Sequence, residues 1–157
     1  MQTVYNVEPA RGVVGAIAST AAHTVRARVS NGAVRPGQYV VLDADNCSHP
    51  TAEPTPGTRG GVVVRNPYKQ NDGVYADGEV VDILVQGDIW IASENTPTLD
   101  TPAWVRVVAV APQEAGAFRA GADGVTAFMI PGLYFRSSTT TPILLEVNKS
   151  AHITAGP

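Results

Sequence analysis

The sequence holds a single cysteine, Cys47, which excludes an internal disulfide and any zinc site built from several thiolates. The framework must stand on packing alone. Charge is also scarce: Asp, Glu, Lys and Arg make up 16% of the chain, against about 25% in an average soluble domain. The 11 basic residues are scattered and the formal net charge is -3, so there is no basic stripe of the kind that wraps nucleic acid, and no nucleic-acid partner is expected. No apolar run approaches the roughly 18 residues that span a bilayer, and the opening Met-Gln-Thr-Val-Tyr-Asn has neither a basic stretch nor an apolar signal core. No membrane partner is expected, and synthesis in the cytosol in soluble form is the simplest reading.

What the sequence does have is 44% hydrophobic residues in 157, enough for one domain that buries roughly two-thirds of its unfolded surface. With so few charges, much of the exterior must be Thr, Ser, Asn and small apolar residues, a composition suited to a protein packed against a partner. Gly (15) and Pro (12) punctuate short runs rich in Val, Ile and Thr along the whole length. Val25, Ala27 and Val29 alternate with Thr24, Arg26 and Arg28, a period of two that predicts a strand with its valines inward and its arginines outward. The same period recurs at Val81, Ile83 and Val85, at Val105, Val107 and Ala109, and at Ile143, Leu145 and Val147. Shorter strands are predicted at 13–19, 39–42, 61–64, 89–92, 125–129 and 133–136.

Turns are predicted at Asn31-Gly32, Pro36-Gly37, Pro56-Gly57, Asp72-Gly73, Asp77-Gly78, Gln86-Gly87, Asp123-Gly124 and Pro131-Gly132. No window carries an apolar stripe of helical period with caps, and the Ala-rich stretch 112–122 is interrupted by Gly116 and Gly121, so it holds at most a helical turn. The expected fold is therefore all-β, a single-domain sandwich or barrel of jelly-roll-like character with long loops. Residues 1–9 are expected to form an extended N-terminal arm, 10–149 the β domain and 150–157 a C-terminal extension. Three prolines, Pro50, Pro54 and Pro56, make 43–59 a long loop, a kind of segment that often carries function.

Residue clusters that could carry chemistry are few. Asp43, Asp45, Cys47 and His49 lie within seven positions, but they lack the Gly and Glu of a calcium loop and the second ligand pair of a zinc site, so no metal is expected. Gly-x-Ser-x-Gly is absent, and Cys47 so close to His49 does not align a thiol with an imidazole, so no catalytic residue is assigned. His23 and His152 read as surface or interface residues. Thr58-Arg59-Gly60-Gly61 lacks the ending of a phosphate loop and reads as a strand entry. The acidic residues sit mostly in turns beside Gly or Asn, which backbone chemistry explains. Trp90, Trp104, Tyr134 and Phe135 could stack sugars only if they gathered on one face, and strand aromatics belong more often to a core or an interface.

The order of the segments says more than any one residue. Gly12-Val13-Val14-Gly15 precedes Pro36-Gly37-Gln38-Tyr39-Val40; Gly60-Gly61-Val62-Val63-Val64 leads into Arg65-Asn66-Pro67-Tyr68-Lys69. Then come Tyr75-Ala76-Asp77-Gly78-Glu79-Val80-Val81, the stretch 83–91 (ILVQGDIWI) and 128–138 (FMIPGLYFRSS). Over roughly residues 10–148 this order resembles the structural cement (capsid decoration) proteins of tailed bacteriophages, with Asn-Pro-Tyr-Lys and the strand pair after it as the most specific part. The Pro-rich loop at 50–57 and the extension at 150–157 depart from the family's pattern.

The resemblance implies a virion protein, made in the host cytoplasm, that sits on the capsid exterior. It implies binding to the major capsid protein, bridging of its subunits, and self-association, commonly as a homotrimer, with a dimer as the other option. It implies no enzyme activity and no cofactor. Repeated modest contacts to a lattice suit such a role, since multivalency multiplies weak affinities. Residues 1–8 and 47–59 are the parts expected to reach neighbouring subunits. Two other readings are a carbohydrate- or receptor-binding β module of a virion, which needs an exposed aromatic row, and a small β-barrel enzyme, which needs a perturbed acid, His or Cys in a cleft.

Overall fold

The computed structural model describes residues 12–18, 22–69, 73–138 and 142–148, and among these it is all-β. Its strands are β1 (Thr24–Ser30), β2 (Tyr39–Asp43), β3 (Asn46–Ser48), β4 (Arg59–Val63), β5 (Val80–Ile91), β6 (Pro102–Arg106), β7 (Phe118–Arg119), β8 (Ala127–Phe135) and β9 (Ile143–Val147). They hydrogen-bond in the order β1-β3-β2-β4-β5-β9-β8-β6-β7, and a further β1–β5 pairing closes the first five strands into a small barrel. All ladders are antiparallel except β1 with β3. The second set rolls up as well, because Ser93, just past β5, bridges Phe118 of β7. The expected arm at 1–9, the extension at 150–157, His152 and Asp72 lie outside the described residues.

One strand serves both halves. The first part of β5 pairs with β1 and β4, and its second part, from Gly87 to Ile91, pairs with β9. At the changeover Gly87 has φ +128°, a conformation that L side chains rarely adopt, and a Cβ there would come within 2.8 Å of the His23 Cβ. The Gln86-Gly87 turn predicted from sequence is thus a bend inside a continuous strand. Pro131-Gly132 is corrected in the same way: it lies within β8, where the register against β6 shifts between Trp104 and Pro102. Two short strands were not expected, β3 inside the 43–59 loop and β7 inside 112–122. The strand expected at 13–19 is reduced to one bridge, Ile17 to Ile89, with Ser19 outside the described residues.

Two apolar cores result, with the strands between them buried on both faces. Val40, Cys47, Val63, Val81, Ile83 and Val85 fill the barrel. Their sequence neighbours Tyr39, Val62 and Leu84 point the other way, into the larger core with Ile89, Phe118, Leu133, Phe135 and Leu145. Double burial explains why 60–64 reads as Gly and Val without polar alternation. Gly60 is bare because the phenol end of Tyr39 occupies the space its Cβ would need. That phenol is fully buried, its hydroxyl has no protein partner among the described residues, and burial pushes its pKa far above the ordinary tyrosine value. Tyr39→Phe removes the unpartnered hydroxyl while keeping the ring. The urea midpoint should rise, by about 1 kcal/mol of stability, since an unpaired buried polar group costs on that order.

The structure reverses one orientation. Arg26 lies opposite Ile83 and Arg28 opposite Val81, so the arginines take the barrel side of β1. Val25 and Val29 face outward, each 37% exposed. A period of two defines two faces without saying which is inside. Here the barrel is already filled by β5, and long arginine stems can line its end while their charged heads stay wet.

Candidate functional site

The residues flagged for chemistry do not assemble into a reactive centre. Cys47 is buried in the barrel core, and burial pushes its thiol pKa up, with the Arg28 charge opposing. A protonated, enclosed thiol is a poor nucleophile. His49 follows β3 and lies 2.9 Å from the Gln38 Oε1 through Nε2, a geometry in which the imidazole N–H donates. Gln38 in turn donates to Glu114 at 2.9 Å. Asp43 and Asp45 are exposed at the β2–β3 turn, and among the described residues no three His, Cys, Asp or Glu side chains gather as a metal site. Arg59, Gly60 and Gly61 open β4 as the expected strand entry. His23 packs its Cβ toward Gly87 at the β5 bend.

The four aromatics do not form a row. Phe135 is buried in the larger core, while Trp90, Trp104 and Tyr134 are half-buried beside different cross-strand partners, Leu144, Met129 and Glu146. The Trp90 indole is also covered where Gly12 runs against it, and Tyr134 lies 5.9 Å from the Arg136 guanidinium.

Burial lowers the His49 pKa below the ordinary 6.5, with Glu114 partly opposing. The fold therefore prefers the neutral imidazole, and the unfolded chain takes up the proton first as pH falls. Stability contributed by His49 is complete above about pH 6.5 and is lost as pH drops from there through the lowered folded value. His49→Gln should flatten the decline in denaturant midpoint between pH 7.5 and 5. The difference between the two proteins isolates His49 from Asp88, whose raised pKa, caused by burial and Glu146, acts with the opposite sign.

Exposed surfaces and one cavity remain as candidates for contact with a partner. Val29 of β1 pairs with Val80 of β5, which is 65% exposed, and Val25 is exposed on the same outer wall beyond the Ala27–Asp82 pair. In the second half Val125 is 80% exposed and Val108 47%, on segments joined by hydrogen bonds from the Val107 and Val108 N–H groups to the Thr126 carbonyl. Most of 51–58, between β3 and β4, is exposed, as a reaching loop requires. On the other side of β1, Thr24, Arg26 and Arg28 line a cavity of about 450 Å³ with Leu42, Val85 and Arg59. The sequence pointed toward the arginines through the Thr24-x-Arg26-x-Arg28 row, but hydrophobicity assigned that row to the wrong side.

Sequence reading also missed a buried ion network. Glu94 accepts from Arg106 at 2.6 and 2.7 Å, and Asp123 pairs with Arg106 at 2.9 Å and with Arg119 at 2.8 Å. It ties the end of β5 to β6, β7 and the loop before β8, a structural role.

Comparison with known proteins supplies the family. The model of a family described as structural cement protein (E217 gp24/Pam3 gp6) matches residues 1–152. A solved chain described as "The capsid of Myoviridae Phage XM1" is similar in fold, with a TM-score of 0.73 and 19% identity over 94% of this chain and 99% of that one. No curated protein matches.

Proposed function

The chain belongs to the phage structural cement protein family, and from that premise we propose that it binds the outer surface of a tailed-phage capsid and stabilises the shell by bridging major capsid protein subunits. The observation that carries this reading is the family match across residues 1–152. The fold agrees with it. Two barrels sharing a continuous strand make a stiff body, and valines stand exposed on both halves, at Val29 and Val80 and at Val108 and Val125. Exposed apolar patches on a sparsely charged exterior suit lattice contacts, where many modest interactions add. The role is structural, without catalysis or cofactor. The protein self-associates, as a homotrimer in this reading, and sits on the virion exterior after synthesis in the host cytoplasm. Residues 1–9 serve as an arm, and with the 47–59 loop they reach neighbouring subunits.

Bridging is tested by cross-linking mass spectrometry on decorated capsids. One cement chain should link through its 47–59 loop and through its arm to two different shell subunits. Links confined to a single subunit would contradict bridging, and a deletion of residues 2–8 that leaves occupancy unchanged would remove the arm from the account.

A further inference from the structure

We infer that the cavity on the barrel side of β1 is a receptor for carboxylates and that its occupant is an acidic segment of the shell protein beneath; the identity of the occupant rests on the cement reading. Of the nine Lys and Arg among the described residues, Arg35, Lys69, Arg106, Arg119 and Arg136 sit in ion pairs. The three arginines lining the cavity, Arg26, Arg28 and Arg59, form no ion pair among the described residues, and no residue lining it is acidic.

Arg28 goes further. Its Nε is buried without a protein partner among the described residues, while Nη1 donates to the Ala27 carbonyl at 2.7 Å. A buried N–H left open is costly, and an acceptor bound in the cavity would offset it.

The shape narrows the ligand. Arginines on β1 and β4 line one space, and guanidinium forks match carboxylates two bonds at a time. The same space has an apolar wall, Leu42 and Val85, which suits a carboxylate carried on methylenes, as in glutamate, better than a bare oxyanion. A volume of about 450 Å³ fits a short side-chain-bearing segment. In a chain of net charge -3, such a local positive site would orient docking onto an acidic partner.

The test uses the full chain. Arginine Nε–Hε resonances are followed by NMR during titration with end-capped hexaglutamate, with hexaglutamine as control and inorganic phosphate as competitor. Saturable shifts at Arg26, Arg28 and Arg59 are expected, weakened at least about tenfold in Arg28→Gln, with none from hexaglutamine. Arg59→Gln, at an exposed strand end, gives a second variant that leaves the fold intact. No response to hexaglutamate, or a response in both variants equal to that of the unaltered chain, overturns the site. Phosphate saturating the same resonances at lower concentration than the peptide overturns the peptide occupant in favour of a free oxyanion.

A second arm uses capsids stripped of cement protein. The triple variant Arg26→Gln, Arg28→Gln, Arg59→Gln should bind them at least about tenfold more weakly and with a flatter salt dependence. Binding equal to that of the unaltered chain overturns the shell occupant and leaves the cement reading standing. An unaltered chain that takes hexaglutamate but ignores capsids overturns the cement reading and the shell occupant while keeping the carboxylate site.

Discussion

Replacing Glu94 by alanine should lower the unfolding free energy by about 3 kcal/mol, because it takes from a buried arginine the carboxylate that holds two of its nitrogens. Arg106 is only 3% exposed, and Glu94 engages both its Nε and its Nη2. Without Glu94 the guanidinium keeps Asp123 and the Thr126 hydroxyl, which is itself 3.1 Å from Nη1. Arg119 loses a partner at the same time. The expected cost is that of a buried guanidinium cut back to one partly exposed carboxylate, which exceeds that of an ordinary surface pair, about 1 kcal/mol or less. The double variant Glu94→Leu, Arg106→Met removes both charges and should recover much of the loss. Denaturant unfolding of the three proteins checks this; a Glu94→Ala loss under about 1 kcal/mol would mean that water screens the network.

The same network sets an acid limit. Hydrogen bonds from Arg106 and Thr126 and the Arg119 charge hold the Asp123 pKa below the ordinary 3.8. Its contribution is in place above that value and is lost as pH falls through the lowered one.

Gly61→Val should be nearly as damaging, at about 3 kcal/mol or more, by overpacking. A Cβ on Gly61 would lie 2.5 Å from the Leu84 carbonyl oxygen and 2.6 Å from the Ile83 Cγ2. A backbone carbonyl cannot swing aside as a flexible side chain can, so β4 must move off β5. That wall divides the two cores, since Val62 and Leu84 face one and Val63 and Ile83 the other. Gly121→Ala, which meets nothing within 4 Å, is the control and should change the urea midpoint by less than about 0.5 kcal/mol. Equal effects at the two positions would contradict the shared-wall account.

Short-range patterns in the sequence suffice for part of the fold. Alternation placed β1, the first half of β5 and β9, and Gly after Pro or Asp marked the turns at Gly37, Gly57 and Gly78, all with positive φ. Gly132, which also follows a Pro, and Gly87, which follows Gln86, have positive φ too, yet each lies inside a strand. Whether such a glycine reverses the chain or only bends it depends on which strands pair on either side, and that is long-range information. The short β3 and β7 exist through their neighbours, having two or three residues and little propensity of their own. The arginine cavity was hidden for a related reason: the residues of β1 were evident, but the identity of its inner face is fixed by Val81 and Ile83, more than fifty positions away. The ion network joins residues 94, 106, 119 and 123, whose proximity comes only from the second barrel closing on itself.

Family membership gives the account its central claim, that this chain decorates and strengthens a shell. The most direct measurement adds the purified chain to capsids that lack it, then sediments them and heats them. The account predicts co-sedimentation that saturates at a fixed lattice ratio, together with shells that break open at a higher temperature. A folded chain that stays in the supernatant at every salt concentration, with shell melting unchanged, would contradict it.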